Sequence, residues 1–248
     1  MSLEYQNESD LNAPVLPKPP TPVYTYILIG SIVTVFIVQC LTGNALASAL
    51  VGDSRSVALA GFDKQRFLHA HEYWRILTGA CIHGGLLHIA FNSMAFYNLG
   101  GIVELLTNRA HLAIMFLLSA IGGGILSLVF LPDIPSIGAS GGIVGLLGYL
   151  IVYAFRRRQF VSVEFRNSLL KNVGFILIYG LILYQVVDNF GHIGGLITGA
   201  VYGLLQIPSD PHVDPRNASS STSLAGITAL GIYIAACCFS ILLILRIV

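Results

Sequence analysis

The sequence predicts an all-α, polytopic membrane protein with a six-helix core and one further C-terminal transmembrane helix. Of its 248 residues, 55% are hydrophobic and only 10% are charged, and the mean hydropathy is +0.77. Soluble domains carry about 25% charged residues, so there is little room for a separate soluble domain. A transmembrane helix needs about 20 largely apolar residues. The sequence has seven such stretches: 24–41, 83–105, 110–131, 138–155, 172–188, 190–207 and 224–245.

The first span follows a polar, proline-rich segment, 1–23. This segment lacks the basic start and the early apolar core of a cleavable signal peptide, so we expect the first span to stay in the mature protein. The loop 42–82 mixes charged and apolar residues and is expected to be folded and to rest partly on the membrane. Trp74 and Arg75 are interpreted as its anchor at the membrane interface.

The second span carries three polar side chains in its first half, His83, His88 and Asn92. Polar side chains are costly at membrane depth and usually face the protein interior or a cavity, where they most often serve a function. The second span is therefore a candidate for part of a functional site. Glu104, near its other end, is interpreted as a hydrogen-bond acceptor that ties helices together.

The fourth and sixth spans carry glycines at helical spacing. The fourth opens with Gly138-Ala139-Ser140-Gly141, and the sixth has His192 near its start. In lipid, small residues four apart let helix backbones approach closely. We therefore expect these two spans to pack together through their glycines: Gly141 and Gly145 on the fourth, and Gly191, Gly195, Gly199 and Gly203 on the sixth.

The remaining elements are connections and the last span. A very tight turn around Asp188 and Asn189 is expected to join the fifth and sixth spans. The polar segment 208–223 is a linker to the seventh. The expected organisation is thus the N-terminal segment, a six-span core over 24–207, the linker, and a seventh helix within 224–248 that looks like an appendage to the core.

Arginine and lysine set the expected orientation, because short cytoplasmic loops carry an excess of both. The loops after the third and fifth spans hold neither, whereas the segment after the fourth is rich in them: Arg156, Arg157, Arg158, Arg166 and Lys171. This places the N-terminus and the linker in the cytoplasm and the loop 42–82 outside. It also places Ser140, His192 and the polar residues of the second span at similar depth near the outer surface. We therefore expect them to form one site.

These side chains predict nucleophilic catalysis. A serine hydroxyl is a poor nucleophile unless a base takes its proton, and histidine is the usual base, so Ser140 and His192 are the candidate pair. Negative charge on the carbonyl oxygen needs preorganised donors. Asn92, His88 and the free N–H groups in the first turn of the fourth span can supply them. No carboxylate at this depth has an obvious claim to orient His192, so we expect a dyad.

Other classes of function fit the sequence less well. A channel or transporter needs polar residues along a path, whereas here they cluster at one depth. His83, His88 and Asn92 form only a partial metal-ligand set with no nearby acid or cysteine, so neither a metal nor another cofactor is predicted. No basic arm or basic–aromatic patch indicates a nucleic-acid partner. The cysteines lack CxxC spacing and are interpreted as apolar packing residues: Cys40, Cys81, Cys237 and Cys238.

In these motifs the chain resembles the rhomboid intramembrane serine proteases. That family carries a Trp-Arg pair in its first loop, as at Trp74-Arg75, and the pattern HxxxxHxxxN on its second helix. It also has GxSG at the start of its fourth helix and a histidine followed by GxxxG on its sixth. The resemblance covers about residues 24–207. Its other matching residues are His83, His88 and Asn92, then Gly138 to Gly141, and then His192 with Gly195 and Gly199.

The resemblance implies a role for each polar residue. Ser140 would be the nucleophile and His192 the general base and acid, while Asn92 and His88 would stabilise the oxyanion. His83 would be a structural residue nearby. The resemblance also implies that the partners are the lipid bilayer and single-pass transmembrane proteins, which such enzymes cut in or near the outer half of their spans.

Alternatives stay open for the packing of His192, for the activity and for the membrane. Relatives often carry an aromatic residue that stacks on the catalytic histidine, whereas this chain has Val144 at that position. A catalytically silent relative that binds membrane proteins for quality control is the second hypothesis, although such members typically lack the serine or the histidine. A plasma membrane is preferred to a mitochondrial one, because the segment 1–23 is acidic and poor in arginine.

Overall fold

The computed structural model describes residues 21–248, which form helices joined by turns and loops, with one antiparallel bridge between Phe62 and Ser136. Four short helices, α2 to α5 below, fold the loop that follows the first long helix. In chain order the helices are α1 Val23–Thr42, α2 Ala45–Val51, α3 Ser54–Ala60, α4 Lys64–His69, α5 Arg75–Thr78, α6 Leu86–Leu106, α7 Arg109–Phe130, α8 Ser140–Arg156, α9 Val163–Ile182, α10 Asn189–Gln206 and α11 Ser220–Leu245.

Four of these helices are long and apolar enough to cross a membrane: α1, α6, α7 and α11. They make the chain an integral membrane protein. Helix α8 is apolar but has only 17 residues. Helices α9 and α10 are long enough but less apolar. Charged residues occupy the start of α9, and glycines replace bulky apolar residues along α10. The expected total of seven spans therefore stays a prediction.

Helix α9 differs most from its expected bounds, 172–188. Polar residues extend it toward the N-terminus, where Ser162 caps the helix by accepting a hydrogen bond from the backbone N–H of Phe165 at 3.1 Å. At the other end, residues 183–188 form the connection to α10. The connection is thus longer than the very tight turn expected there, because an apolar stretch does not reveal where a helix ends.

Helix α8 lies at the centre of the bundle between α7 and α10, and glycines let its backbone touch α10. A Cβ atom on Gly195 would lie 2.0 Å from the carbonyl oxygen of Gly141, and one on Gly199 would lie 1.9 Å from that of Gly145. Real Cβ atoms essentially never come closer than 3.0 Å. Only glycine fits at Gly195 and Gly199, and the close approach brings the start of α8 next to the start of α10.

Helix α11 is packed into the bundle against α1 and α7, so the interpretation of an appendage is wrong. Tyr233 is 1% exposed and its hydroxyl donates to the carbonyl oxygen of Ala80 at 2.9 Å. The Sγ atoms of Cys237 and Cys81 lie 3.3 Å apart, and both residues are buried. A mainly apolar helix near a chain terminus looks the same in sequence whether lipid or protein surrounds it.

Candidate active site

Ser140 and His192 lie within hydrogen-bond distance of each other. Ser140 is the first residue of α8, and His192 lies in the first turn of α10. The Oγ atom of Ser140 is 2.9 Å from Nε2 of His192. When the hydroxyl donates this bond, the proton of a neutral imidazole sits on Nδ1. That nitrogen is buried and has no hydrogen-bond partner within residues 21–248, so no carboxylate of the described part binds it.

A glycine-dependent turn presents Ser140. Gly138 has a φ of +111°, which L side chains rarely adopt, and a Cβ atom on it would lie 2.7 Å from Nε2 of His88. The N–H of Gly138 donates to the carbonyl oxygen of Gly79 at 2.9 Å. Ala139 caps α8 without a side-chain hydrogen bond. The N–H groups of the first turn, that of Ser140 included, therefore have no intrahelical partner.

Asn92 and His88 bring two further donors to the same turn. Nδ2 of Asn92 lies 3.5 Å from the position of a Cβ atom on Gly138, is buried, and has no partner in the part of the chain that the structure describes. Nδ1 of His88 accepts the N–H of Gly84 at 3.2 Å. This assigns the ring proton of His88 to Nε2, the nitrogen that faces Gly138. Both donors therefore lie beside Gly138, two residues before Ser140.

His83 is fully buried beside His88, and their ring centroids are 5.0 Å apart. Its Nδ1 lies 3.3 Å from the carbonyl oxygen of Cys81. The side-chain amide of Gln39 on α1 pairs with both the N–H and the C=O of His83, each at 3.1 Å. Gln39 thus fixes the entry to α6 from a different helix, and nothing in its local sequence indicates this contact.

Trp74 and Arg75 occupy different environments. Arg75 is 2% exposed, forms an ion pair with Glu72, and donates to the carbonyl oxygen of Gly61 at 2.8 Å. The interpretation of Arg75 as an interface anchor is therefore wrong, because its guanidinium holds the loop together from inside. Trp74 is 42% exposed and contacts the ring of Phe239 on α11 edge to face.

Glu104 lies at the far end of α6 from the serine. Its carboxylate accepts hydrogen bonds from the N–H and the hydroxyl of Thr25, each at 2.7 Å, and from the N–H of Tyr24 at 3.4 Å. Free N–H groups at the start of a helix attract anions. The carboxylate ties α6 to the first turn of α1, and it takes no part in the arrangement around Ser140.

Asp188 is the residue near Ser140 and His192 whose contacts the sequence did not indicate. It caps α10, and its carboxylate binds Gly191 of the same helix and the hydroxyls of two distant serines, Ser127 and Ser136. Its one signal in the sequence is an aspartate at a helix start, which is typical of a cap.

Two cavities adjoin the pair. One of about 40 Å³ is lined by Ser140, His192 and Asp188, and water fits in a space of this size. A smaller one of about 10 Å³ lies between α8, α9 and α10. Val144 and His192 line it together with aliphatic residues of α9, among them Ile176. Val144 and the aliphatic residues of α9 therefore line the cavity beside His192, where relatives often carry a stacking aromatic residue.

Within residues 21–248, no group of three or more His, Cys, Asp and Glu side chains is arranged to hold a metal ion. In the second span, one ring nitrogen of His83 and one of His88 contact backbone groups. Nδ1 of His88 accepts an N–H, and Nδ1 of His83 lies next to a carbonyl oxygen.

The Rhomboid domain family model matches residues 70–209, which is more than half of the chain. The chain belongs to the rhomboid family. It is 32% identical over 181 residues to the Rhomboid protease GluP of Bacillus subtilis, which covers 72% of this chain and 34% of GluP. It is 30% identical over 167 residues to RHOMBOID-like protein 6, mitochondrial, of Arabidopsis thaliana, covering 65% of this chain and 53% of that protein.

Relatives within the rhomboid family differ in activity. Inactive RHOMBOID-like protein 8 of Arabidopsis thaliana is 26% identical over 165 residues, which is 66% of this chain and 46% of that protein. The matched regions span between 34% and 53% of these three curated relatives. The rhomboid family therefore includes proteases and proteins named inactive, so membership alone does not decide whether this chain is catalytic.

Proposed function

We propose that this rhomboid protein is an intramembrane serine endopeptidase that cleaves transmembrane segments of single-pass membrane proteins. The observation that carries the proposal is the distance of 2.9 Å between Oγ of Ser140 and Nε2 of His192. Nδ2 of Asn92, which lacks a partner within the described residues, and the Nε2 N–H of His88 support it. Buried donors without partners are costly in a folded protein and are useful where charge develops in a transition state.

The proposed reaction proceeds through an acyl-enzyme. Oγ of Ser140 attacks the peptide carbonyl carbon while Nε2 of His192 accepts the hydroxyl proton. The carbonyl oxygen becomes an oxyanion, which the N–H groups of Asn92, His88 and Ser140 stabilise. The C–N bond then breaks as His192 returns the proton to the leaving amine. Water then attacks the ester carbonyl carbon while His192 takes its proton. The bond from carbon to Oγ breaks, the carboxylic acid leaves, and His192 returns the proton to Oγ of Ser140.

Replacing Ser140 with alanine is the direct test of the proposed activity. We expect Ser140→Ala to abolish cleavage of a co-expressed single-span substrate at wild-type expression, because the attacking oxygen is gone. A fluorophosphonate probe is expected to label the wild type at Ser140 and to fail on His192→Ala, which lacks the base. The Ser93→Ala variant, with a hydroxyl removed elsewhere in the membrane region, is the matched control.

The catalytically silent alternative predicts a different pattern. If the protein only binds membrane proteins, the wild type would neither cleave its partners nor react with the probe. The Ser140→Ala variant would still bind the same partners. Substrate cleavage by Ser140→Ala at the wild-type rate would contradict the proposed nucleophile.

We also propose the membrane arrangement. The protease core comprises 24–207 and contains six spans, with α11 as the seventh. The N-terminus and the segment 208–223 lie in the cytoplasm of a plasma membrane, and Ser140 faces the outer side. The arginines that follow α8 support this orientation, and the family match over residues 70–209 supports the end of the core.

A further inference from the structure

The segment that leads to Ser140 is irregular and is held from two sides. On one side, Ser136 pairs with Phe62 of the loop before α4, through backbone hydrogen bonds of 3.0 and 3.1 Å. The hydroxyl of Ser136 points to the other side, toward the connection between α9 and α10. The position of Ser140 therefore depends on a residue that lies four positions before it.

Asp188 lies four positions before His192 and meets Ser136 there. One carboxylate oxygen accepts the N–H of Gly191 at 2.7 Å. The other accepts the hydroxyls of Ser127 on α7 and of Ser136, each at 2.5 Å. One side chain thus joins α7, the segment before α8, and the first turn of α10.

Lys64 supplies the opposite charge. Its Nζ donates to the hydroxyl of Ser136 at 2.7 Å and to the carbonyl oxygen of Ile134 at 2.5 Å, and the residue is 1% exposed. Burial lowers the pKa of the Lys64 ammonium, and the Asp188 carboxylate opposes this shift. Buried charges are usually retained only with partners. Lys64, Ser136 and Asp188 form a bridge in which one hydroxyl separates the two charges.

We propose that Asp188 is a positioning residue that holds Ser140 and His192 at their reacting distance by bridging Ser136 and the first turn of α10. This inference rests on the proposed protease function. Asp188 lines the same cavity as Ser140 and His192. Both of its oxygens are bound to other groups, and Nδ1 of His192 has no partner within residues 21–248. Asp188 therefore acts through geometry and transfers no proton.

The test is a graded series at position 188. Serine can cap α10 but is too short to reach Ser136, whereas asparagine retains the length and one acceptor oxygen. We expect the rate of fluorophosphonate labelling to fall in the order wild type, Asp188→Asn, Asp188→Ser, with Asp188→Ser about 10- to 100-fold slower, since a misplacement of about 1 Å can cost about 100-fold. Cleavage of a single-span substrate by the solubilised protein should show the loss in kcat with KM unchanged.

Labelling stoichiometry separates positioning from stability. A residue needed only for folding would lower the fraction of protein that is labelled and leave the rate for the remainder unchanged. Positioning lowers the rate and leaves the labelled fraction unchanged. Ser162→Ala, which removes the cap of α9 far from Ser140, is the control and should label as wild type.

A second variant keeps the inference testable if Asp188→Ser does not fold. Ser136→Ala leaves Asp188 bound to Gly191 and Ser127 and removes its link to the segment before α8. It also removes the contacts of the Ser136 hydroxyl with Lys64 and Ser127, so it should also label slowly. Wild-type labelling rates in Asp188→Ser, or in Ser136→Ala when the former is unfolded, would overturn the inference. Absence of labelling and cleavage in the wild type would instead overturn the proposed function, which makes the two failures distinguishable.

Discussion

At the residue scale, the proposed chemistry depends on donors that the protein leaves without partners. Nδ2 of Asn92 is buried and has none in the described chain, and it faces the turn at Gly138. Leaving a buried donor unsatisfied costs about 1–3 kcal/mol. A bound oxyanion would satisfy this donor, so the free energy lost in the resting protein is recovered in the transition state.

Asn92→Ala is therefore expected to lower kcat by about 10²- to 10³-fold, the usual loss for one oxyanion donor. The measurement is cleavage of a single-span substrate by purified protein. Ser93→Ala is the matched control, because the adjacent hydroxyl is also buried and without a partner among the described residues. Equal rates in both variants would show that Asn92 does not contact the oxyanion.

At the scale of elements, the backbones of α8 and α10 touch directly where both helices carry glycines. Carbonyl oxygens of Gly141 and Gly145 occupy the positions that Cβ atoms on Gly195 and Gly199 would need. Close packing of this kind drives helix association in lipid, where the hydrophobic effect between helices is absent. The same contact brings the helix starts that carry Ser140 and His192 together, so packing and the proposed catalysis depend on the same glycines.

Gly199→Ala should separate the two helices. The added Cβ atom would lie 1.9 Å from the carbonyl oxygen of Gly145, and overpacking typically costs about 1–3 kcal/mol. We expect a lower Tm in detergent together with slower labelling of Ser140. Gly231→Ala on α11 is the control, since a Cβ atom there meets nothing within 4 Å. Identical Tm values for the two variants would refute the backbone contact.

At the scale of the whole molecule, the loop 42–82 and α11 are structural parts of the bundle. Arg75 binds the loop from inside, and Tyr233 connects α11 to the loop through Ala80. The loop also reaches the segment before Ser140 through Phe62. The surroundings of Ser140 therefore include the loop 42–82 as well as the helices that follow it.

The proposed orientation predicts which loops each compartment can reach. In a background with Cys40→Ser and Cys238→Ser, Asp133→Cys should react with an impermeant maleimide on intact cells. Gln159→Cys, beside the arginines after α8, should react only after permeabilisation. Both positions are exposed in the structure. The reverse pattern of labelling would invert the topology.

Much of the fold and of the site can be predicted from sequence, because the relevant signals are local. Apolar composition over about 20 residues predicts helices in a membrane, and glycines four apart predict close packing. Ser140 and His192 each stand out because a polar residue interrupts an apolar stretch. The expected proximity of their two helices follows from the same glycine spacing, and the structure places the two side chains 2.9 Å apart.

Contacts between distant segments could not be predicted in this way. Hydropathy does not show that Arg75 is buried or that α11 packs against the core. Each depends on which surfaces meet after folding. A window along the chain describes a residue's neighbours in sequence, whereas burial depends on its neighbours in space.

The sequence by itself determined that this is a helical membrane protein with a serine and a histidine on helices able to touch. Only the tertiary structure decided what holds them there. Asp188 meets serines that are 61 and 52 residues away in the chain, and Lys64 reaches Ser136 across 72 residues. The physical reason is that a hydrogen bond needs its partners within about 3 Å, and only the folded chain sets that distance.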